Sequence, residues 1–175
     1  MNEAEALAII DQILDEHQDI HEDFKSLGAV SGDIEAAARL SSDKTKDYFV
    51  PKSLDDEGRG LARWRQMLEA IDAGLKAHFH KEETALAEAF QREGSPEMES
   101  ALKQLLSEHD GLNKHVAKLL KDANDIASGG AMIEVWEGTG WGMKTNIQRL
   151  QAEIAAHAER ERVLLGKMKA HLSKG

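Results

Sequence analysis

Apolar residues recur along this chain at alternating steps of three and four, in four separate stretches. The first seam is Ala6, Ile10, Ile13, Ile20, Phe24 and Leu27, and the second is Leu61, Trp64, Leu68, Ile71, Leu75 and Leu86. The third runs Met98, Leu102, Leu105, Leu112, Val116, Leu119, Ala123 and Ile126; the fourth runs Met143, Ile147, Leu150, Ile154, Leu164, Met168 and Leu172. A spacing near 3.5 residues puts one apolar stripe on each helix and requires the stripes to face one another. Composition agrees, because Ala, Leu, Glu and Lys outnumber β-branched and aromatic residues. With 175 residues and 41% apolar side chains, the chain can bury one core and is not expected to be disordered.

Punctuation divides the seams. Gly32 and Asp33 are expected to interrupt the first helix, while Pro51 and Gly58 to Gly60 precede the second. Gly94, Ser95 and Pro96 separate the second from the third, with Pro96 suited to a first helical turn. Gly129 and Gly130 end the third, and the fourth starts between Ala131 and Trp141, where glycines blur the boundary. Short connections make neighbours antiparallel, so the expected fold is all-α: an up-down-up-down four-helix bundle forming one domain over residues 1–175.

The seams have polar gaps. His17 fills the first, His78 and Glu82 the second, His109 the third, and His157 and Glu161 the fourth. Counting from the helix breaks at about 1.5 Å per residue brings all four gaps to one level of the bundle. A single histidine on an apolar face is more often a satisfied core residue than a ligand. Here four imidazoles and two carboxylates share a layer with no Lys or Arg at a seam position, and burying carboxylates without positive charge costs several kcal/mol each. Bound metal supplies that charge. In a His-x3-Glu pair both side chains leave one helix face a turn apart. Two metals, each with two imidazoles and with the carboxylates bridging, use all six groups and leave room for a bridging oxide or water and an added ligand.

Other features narrow the chemistry. The absence of cysteine excludes disulfides, thiolate zinc sites, iron–sulfur clusters and thiol nucleophiles. Imidazole with carboxylate suits iron, with manganese and zinc as the other fitting metals. A net charge of −10 argues against a nucleic-acid partner. No signal-type segment and no 18-residue apolar run is found, so a cytoplasmic protein without a membrane partner is expected. His80, His115 and His171 fall off the seams and are expected at the surface. His21, one turn beyond His17, is either an additional ligand or a support for one. Glu16 and Glu108 are either exposed helix charges or orienting partners of ligand histidines. Glu83 and Glu159 point away from the seam, and Phe24 and Phe79 are candidates to line the site.

The set His17, His78-Phe79-His80-Lys81-Glu82-Glu83, Glu108-His109 and His157-Ala158-Glu159-Arg160-Glu161 resembles the hemerythrin-like HHE cation-binding family over essentially the whole chain. That resemblance implies two iron ions in a non-haem diiron site with oxo and carboxylate bridges, held by His17, His78, Glu82, His109, His157 and Glu161. Oxygen-carrying members place a histidine where this chain has Asn113, and an aspartate where it has Arg162. The pattern here is closer to bacterial iron–sulfur cluster repair proteins, whose paired-cysteine module is missing. The implied function is a diiron protein that reacts with or senses a small oxidant (oxygen, nitric oxide or peroxide) or handles iron; the alternative is reversible oxygen storage. The expected partner is that diatomic or peroxide ligand, and no oligomeric state is specified. His17 and His78 are 61 residues apart against 48 for His109 and His157, which places an insertion or extension at about 29–57.

Overall fold

Each apolar seam becomes the buried stripe of one helical rod. The computed structural model describes residues 2–41, 61–127 and 133–173. The first rod is α1 (Glu3–Ser41), and the second is α2 (Leu61–Lys81), a π-helical turn (Glu82–Leu86) and α3 (Ala87–Glu93). The third is α4 (Pro96–Leu106) followed by α5 (His109–Ala127), and the fourth is α6 (Ile133–Leu172). Among the described residues there is no strand, and no helix is long and apolar enough to cross a membrane.

The rods pack in a cycle, α1 against α2, α2 against α5, α5 against α6 and α6 back against α1. Pairings far apart in sequence fix the directions. Lys169 Nζ donates to Asp11 Oδ1 at 2.6 Å, so the end of α6 lies beside the start of α1. His115 reaches Glu153, and His157 reaches Glu108, in opposite order along α5 and α6. These pairings run α6 antiparallel to both α1 and the third rod, as the expected up-down-up-down bundle has it.

Two apolar clusters fill it. One gathers Phe24, Leu27, Trp64, Leu68, Val116, Leu119, Ile147 and Leu150 with their neighbours. The other gathers Ala6, Ile10, Ile13, Leu86, Phe90, Leu102, Leu165 and Met168. Each large buried side chain contributes on the order of 1.5–3 kcal/mol, and the polar layer lies between the two clusters. Phe79, Ala89, Phe90 and Leu165 join the core although the seam did not include them.

The junction at Gly94 follows expectation. Ser95 caps α4 by accepting from the Met98 amide at 3.4 Å, and Pro96 occupies the first turn. A Cβ on Gly94 would stand 2.5 Å from the Phe90 carbonyl oxygen, so the chain can leave α3 this closely only at a glycine.

Two boundaries differ from the sequence reading. The helix does not stop at Gly32 and Asp33: α1 continues to Ser41, so the first part of the expected insertion or extension prolongs the first rod. A glycine inside a helix costs only about 1 kcal/mol, which cannot end a helix when the residues after it remain good formers. Residues 42–57 of the expected insertion lie outside the described residues. The third rod is not one helix, since a turn at Ser107 and Glu108 divides it. There the Glu108 amide donates to the Leu105 carbonyl three residues back, a tighter bond than the α-helix uses. At the fourth rod, α6 begins at Ile133, inside the expected window, and runs through Gly138, Gly140 and Gly142.

Candidate metal centre

All six seam residues meet in the layer between the two apolar clusters. Five are almost sealed: His78, Glu82, His109, His157 and Glu161 are 4%, 0%, 2%, 3% and 1% exposed. His17 is 13% exposed and is the one with contact to the outside. Donor atoms of His17, His78, Glu82 and Glu161 lie within 4.8 Å of one another, and so do those of Glu82, His109 and His157. Glu82 belongs to both groups. The imidazoles pair within the layer, His17 edge-on to His78 with centroids 4.9 Å apart and His109 edge-on to His157 at 5.1 Å.

Three of the histidines are held from behind. His78 Nδ1 donates to Glu16 Oε2 at 2.9 Å, His109 Nδ1 to Glu83 Oε1 at 2.8 Å, and His157 Nδ1 to Glu108 Oε2 at 2.9 Å. A carboxylate can only accept, so each Nδ1 carries a proton and each Nε2 is the nitrogen directed into the layer. Every bond crosses to the next rod. Glu16 stands beside His17 but supports His78; Glu83 stands beside Glu82 but supports His109; Glu108 stands beside His109 but supports His157. Neighbouring rods therefore fix each other's imidazoles around the bundle. Lys81 pairs with Glu16, and Arg160 with Glu108. Burial raises the carboxyl pKa of Glu16 and Glu108, but His78 with Lys81, and His157 with Arg160, bring each below the usual carboxylate range.

What the layer lacks is partners for its inner atoms. Among the described residues, nine buried side-chain nitrogens and oxygens make no hydrogen bond, and seven belong here: Nε2 of His17, His109 and His157, and both carboxylate oxygens of Glu82 and Glu161. Close approaches exist, with His109 Nε2 2.9 Å from Glu82 Oε2 and His17 Nε2 3.1 Å from Glu161 Oε2, but they lack hydrogen-bond geometry. Leaving such atoms unpaired costs about 1–3 kcal/mol each, more if charged. Concentrated in one layer and aimed at common points, they fit metal ions, and nitrogen with oxygen donors suits iron, manganese or zinc.

Electrostatics follow from the crowding. Burial pushes Glu82 up, yet the imidazoles of His109, His17 and His78 more than offset this and leave its carboxyl well below the ordinary range. Glu161 is pushed up, by burial first and by the nearby Glu82 charge, against the opposing effect of His17. Burial lowers His17, but Glu161 and Glu82 dominate together and raise it to about 9. His78 and His109 are raised in the same way, against burial, chiefly by Glu82.

Two surrounding residues, Glu83 and His115, sort differently from expectation, while Phe79 lines the layer as expected. Glu83 is half exposed and off the seam, but it holds His109, and nothing in the seam spacing marks it for that part. His115 is not a free surface residue, since it is 16% exposed and donates to Glu153 at 2.9 Å. Phe79 lies flat on His109, with centroids 4.0 Å apart and 11° between planes, and stands edge-on to His157. Elsewhere His80 and His171 are exposed, and Glu159 pairs with Arg162 at the surface. His21 is also exposed and lies outside both donor groups, at the rim of a groove that ends on His17. Asn113, one turn beyond His109, carries a buried Oδ1 without a hydrogen bond.

Comparison with known families returns a match. The model of the hemerythrin HHE cation-binding domain fits residues 8–168. Neither the curated proteins nor the solved structures contain a match to this chain.

Proposed function

The chain belongs to the hemerythrin HHE cation-binding domain family, and from that premise we propose that its polar layer holds two non-haem iron ions and meets a small oxidant such as oxygen, nitric oxide or peroxide. The observation that carries this reading is the set of seven buried donor atoms without hydrogen bonds, distributed over both histidine pairs. His17 and His78 would hold one ion and His109 and His157 the other, with Glu82 serving both and Glu161 joining on the His17 side. When bound, the iron pair supplies one-electron redox steps and coordination positions for an added ligand.

The chain's own residues prepare that chemistry. Glu16, Glu83 and Glu108 keep Nδ1 protonated, so Nε2 of three histidines is the basic, inward nitrogen. Glu82 and Glu161 bring negative charge that offsets the cations. Phe79 covers the His109 and His157 rings and excludes water from that end. The two apolar clusters hold the rods at fixed separation, so the donors do not have to be gathered when metal arrives.

Metal analysis of anaerobically purified protein, followed by stopped-flow spectra with oxygen, nitric oxide and hydrogen peroxide, tests the proposal. About two iron ions per chain and a spectral change with at least one oxidant are expected. Manganese or zinc in place of iron, or no reaction with any of the three, would overturn it. A long-lived oxygenated form would replace it with reversible oxygen storage.

A further inference from the structure

The two ends of the polar layer differ in access. At the His109 and His157 end, Phe79 is 3% exposed and stacks on one ring while bordering the other. At the opposite end a groove of about 250 Å³ runs between α1 and α6 and ends on His17, the most exposed of the six residues. Its apolar lining is Leu14, Phe24, Ile154, Ala155 and Ala158, of which Phe24 and Ile154 are buried core residues and Ala155 is exposed. Gln18, His21, Gln151, Glu159 and Arg162 line it as well. Arg162 is engaged with Glu159 through two contacts of 2.7 Å, so that pair brings no net charge to the opening.

The dimensions accommodate small ligands. One water needs about 10–15 Å³ of such space, so the groove has ample room for molecules of two or three heavy atoms. On α6 the lining includes two alanines, Ala155 and Ala158. A larger side chain at either position would project into the space they leave.

We propose that this α1–α6 groove is the passage by which small ligands reach the centre, and that Ala155 and Ala158 keep its α6 side open. The inference rests on the diiron reading above. His17 is the inner end of the passage and Phe79 closes the alternative approach from the far side.

The chain contains no cysteine, which makes the passage open to chemical blocking. In iron-loaded Ala155→Cys, azide association is followed by stopped-flow absorbance before and after reaction of the thiol with a benzyl methanethiosulfonate. The benzyl adduct is expected to slow azide association at least tenfold, a methyl adduct less, with iron content equal before and after modification. The same benzyl adduct on Val163→Cys, which is exposed and outside this groove, should change the rate less than twofold. Gln18→Cys repeats the measurement from the α1 side, so a single adduct that disturbs iron does not decide the outcome. Equal azide rates before and after benzylation at both groove positions, with iron retained, would overturn the passage while leaving the diiron reading intact. Failure of the unsubstituted iron-loaded protein to bind azide would overturn the passage through the reading on which it rests.

Discussion

Two of the four rods cross the polar layer as regular α-helices, and two change geometry inside it. α1 passes His17, and α6 passes His157 and Glu161, without a break. The second rod opens into a π-turn that begins at Glu82, where the Ala87 amide donates to the Glu82 carbonyl five residues back. The third rod turns at Ser107 and Glu108, immediately before His109. The consequence is visible in two motifs of identical His-x3-Glu spacing. From the π-turn, Glu82 comes within 2.6 Å of His78, 2.9 Å of His109 and 3.8 Å of His17. From the regular helix, Glu161 comes within 3.1 Å of His17 and 3.9 Å of His157. A His-x3-Glu spacing thus fixes which face a carboxylate occupies, and the local backbone fixes how far it reaches. Irregular turns of this kind are common at functional sites because they re-aim one side chain without moving the rest of the helix.

The largest expected effect separates the two carboxylates. Glu82→Ala should remove most bound metal from both positions, whereas Glu161→Ala should spare the His109 and His157 position and leave about one ion per chain, as read by metal analysis after anaerobic loading. Equal losses would break the comparison.

A pH series separates the metal-free from the loaded protein. His17 is held near 9 in the metal-free fold against an ordinary 6.5, and Glu161 is also raised. Their protonated forms therefore stabilise the metal-free fold below the unfolded values, and that contribution is lost as pH rises through the folded ones. Metal binding has the opposite sign, because imidazole must be neutral to bind. Between about pH 6.5 and 9, the melting temperature of the metal-free protein should fall while its separation from the loaded protein widens. A constant separation in differential scanning calorimetry would contradict this coupling.

Smaller effects belong to the supporting groups. Glu83→Gln, Glu16→Gln and Glu108→Gln should each weaken metal affinity by about 10–100-fold, measured by competition with a chelator. Glu83→Gln tests the residue that spacing alone assigned no part in the site. The smallest effect concerns the π-turn itself. Thr84 donates its hydroxyl to the His80 carbonyl at 2.7 Å, a contact of the kind that bends helices. Thr84→Val should cost about 0.5–1.5 kcal/mol in chemical denaturation and lower metal content less than any Glu substitution above.

Much of this arrangement was readable in the chain. Every described seam residue is at least half-buried, and all six polar interruptions come to one layer, because a period near 3.5 and the positions of Gly94 and Pro96 fix face and height together. The breaks inside the rods left no mark. Leu86 still follows Glu82 by four residues, and Leu112 still continues the third seam, because steps of three and four absorb an irregular turn. Gly32 and Asp33 misled for the reverse reason, being weak breakers whose small cost the continuing helix tolerates.

By itself, then, the sequence determined the number of rods, the stripe each one buries and the donors placed on those stripes, since these depend on periodicity and residue chemistry along one chain. Only the tertiary structure decided that Glu82 would reach three imidazoles, that Glu16, Glu83 and Glu108 would each hold a histidine on the next rod, and that His17 would face a groove while Phe79 seals the other end. Those outcomes depend on how far apart two helices stand and how each is turned about its axis, quantities set by the packing of all four rods together.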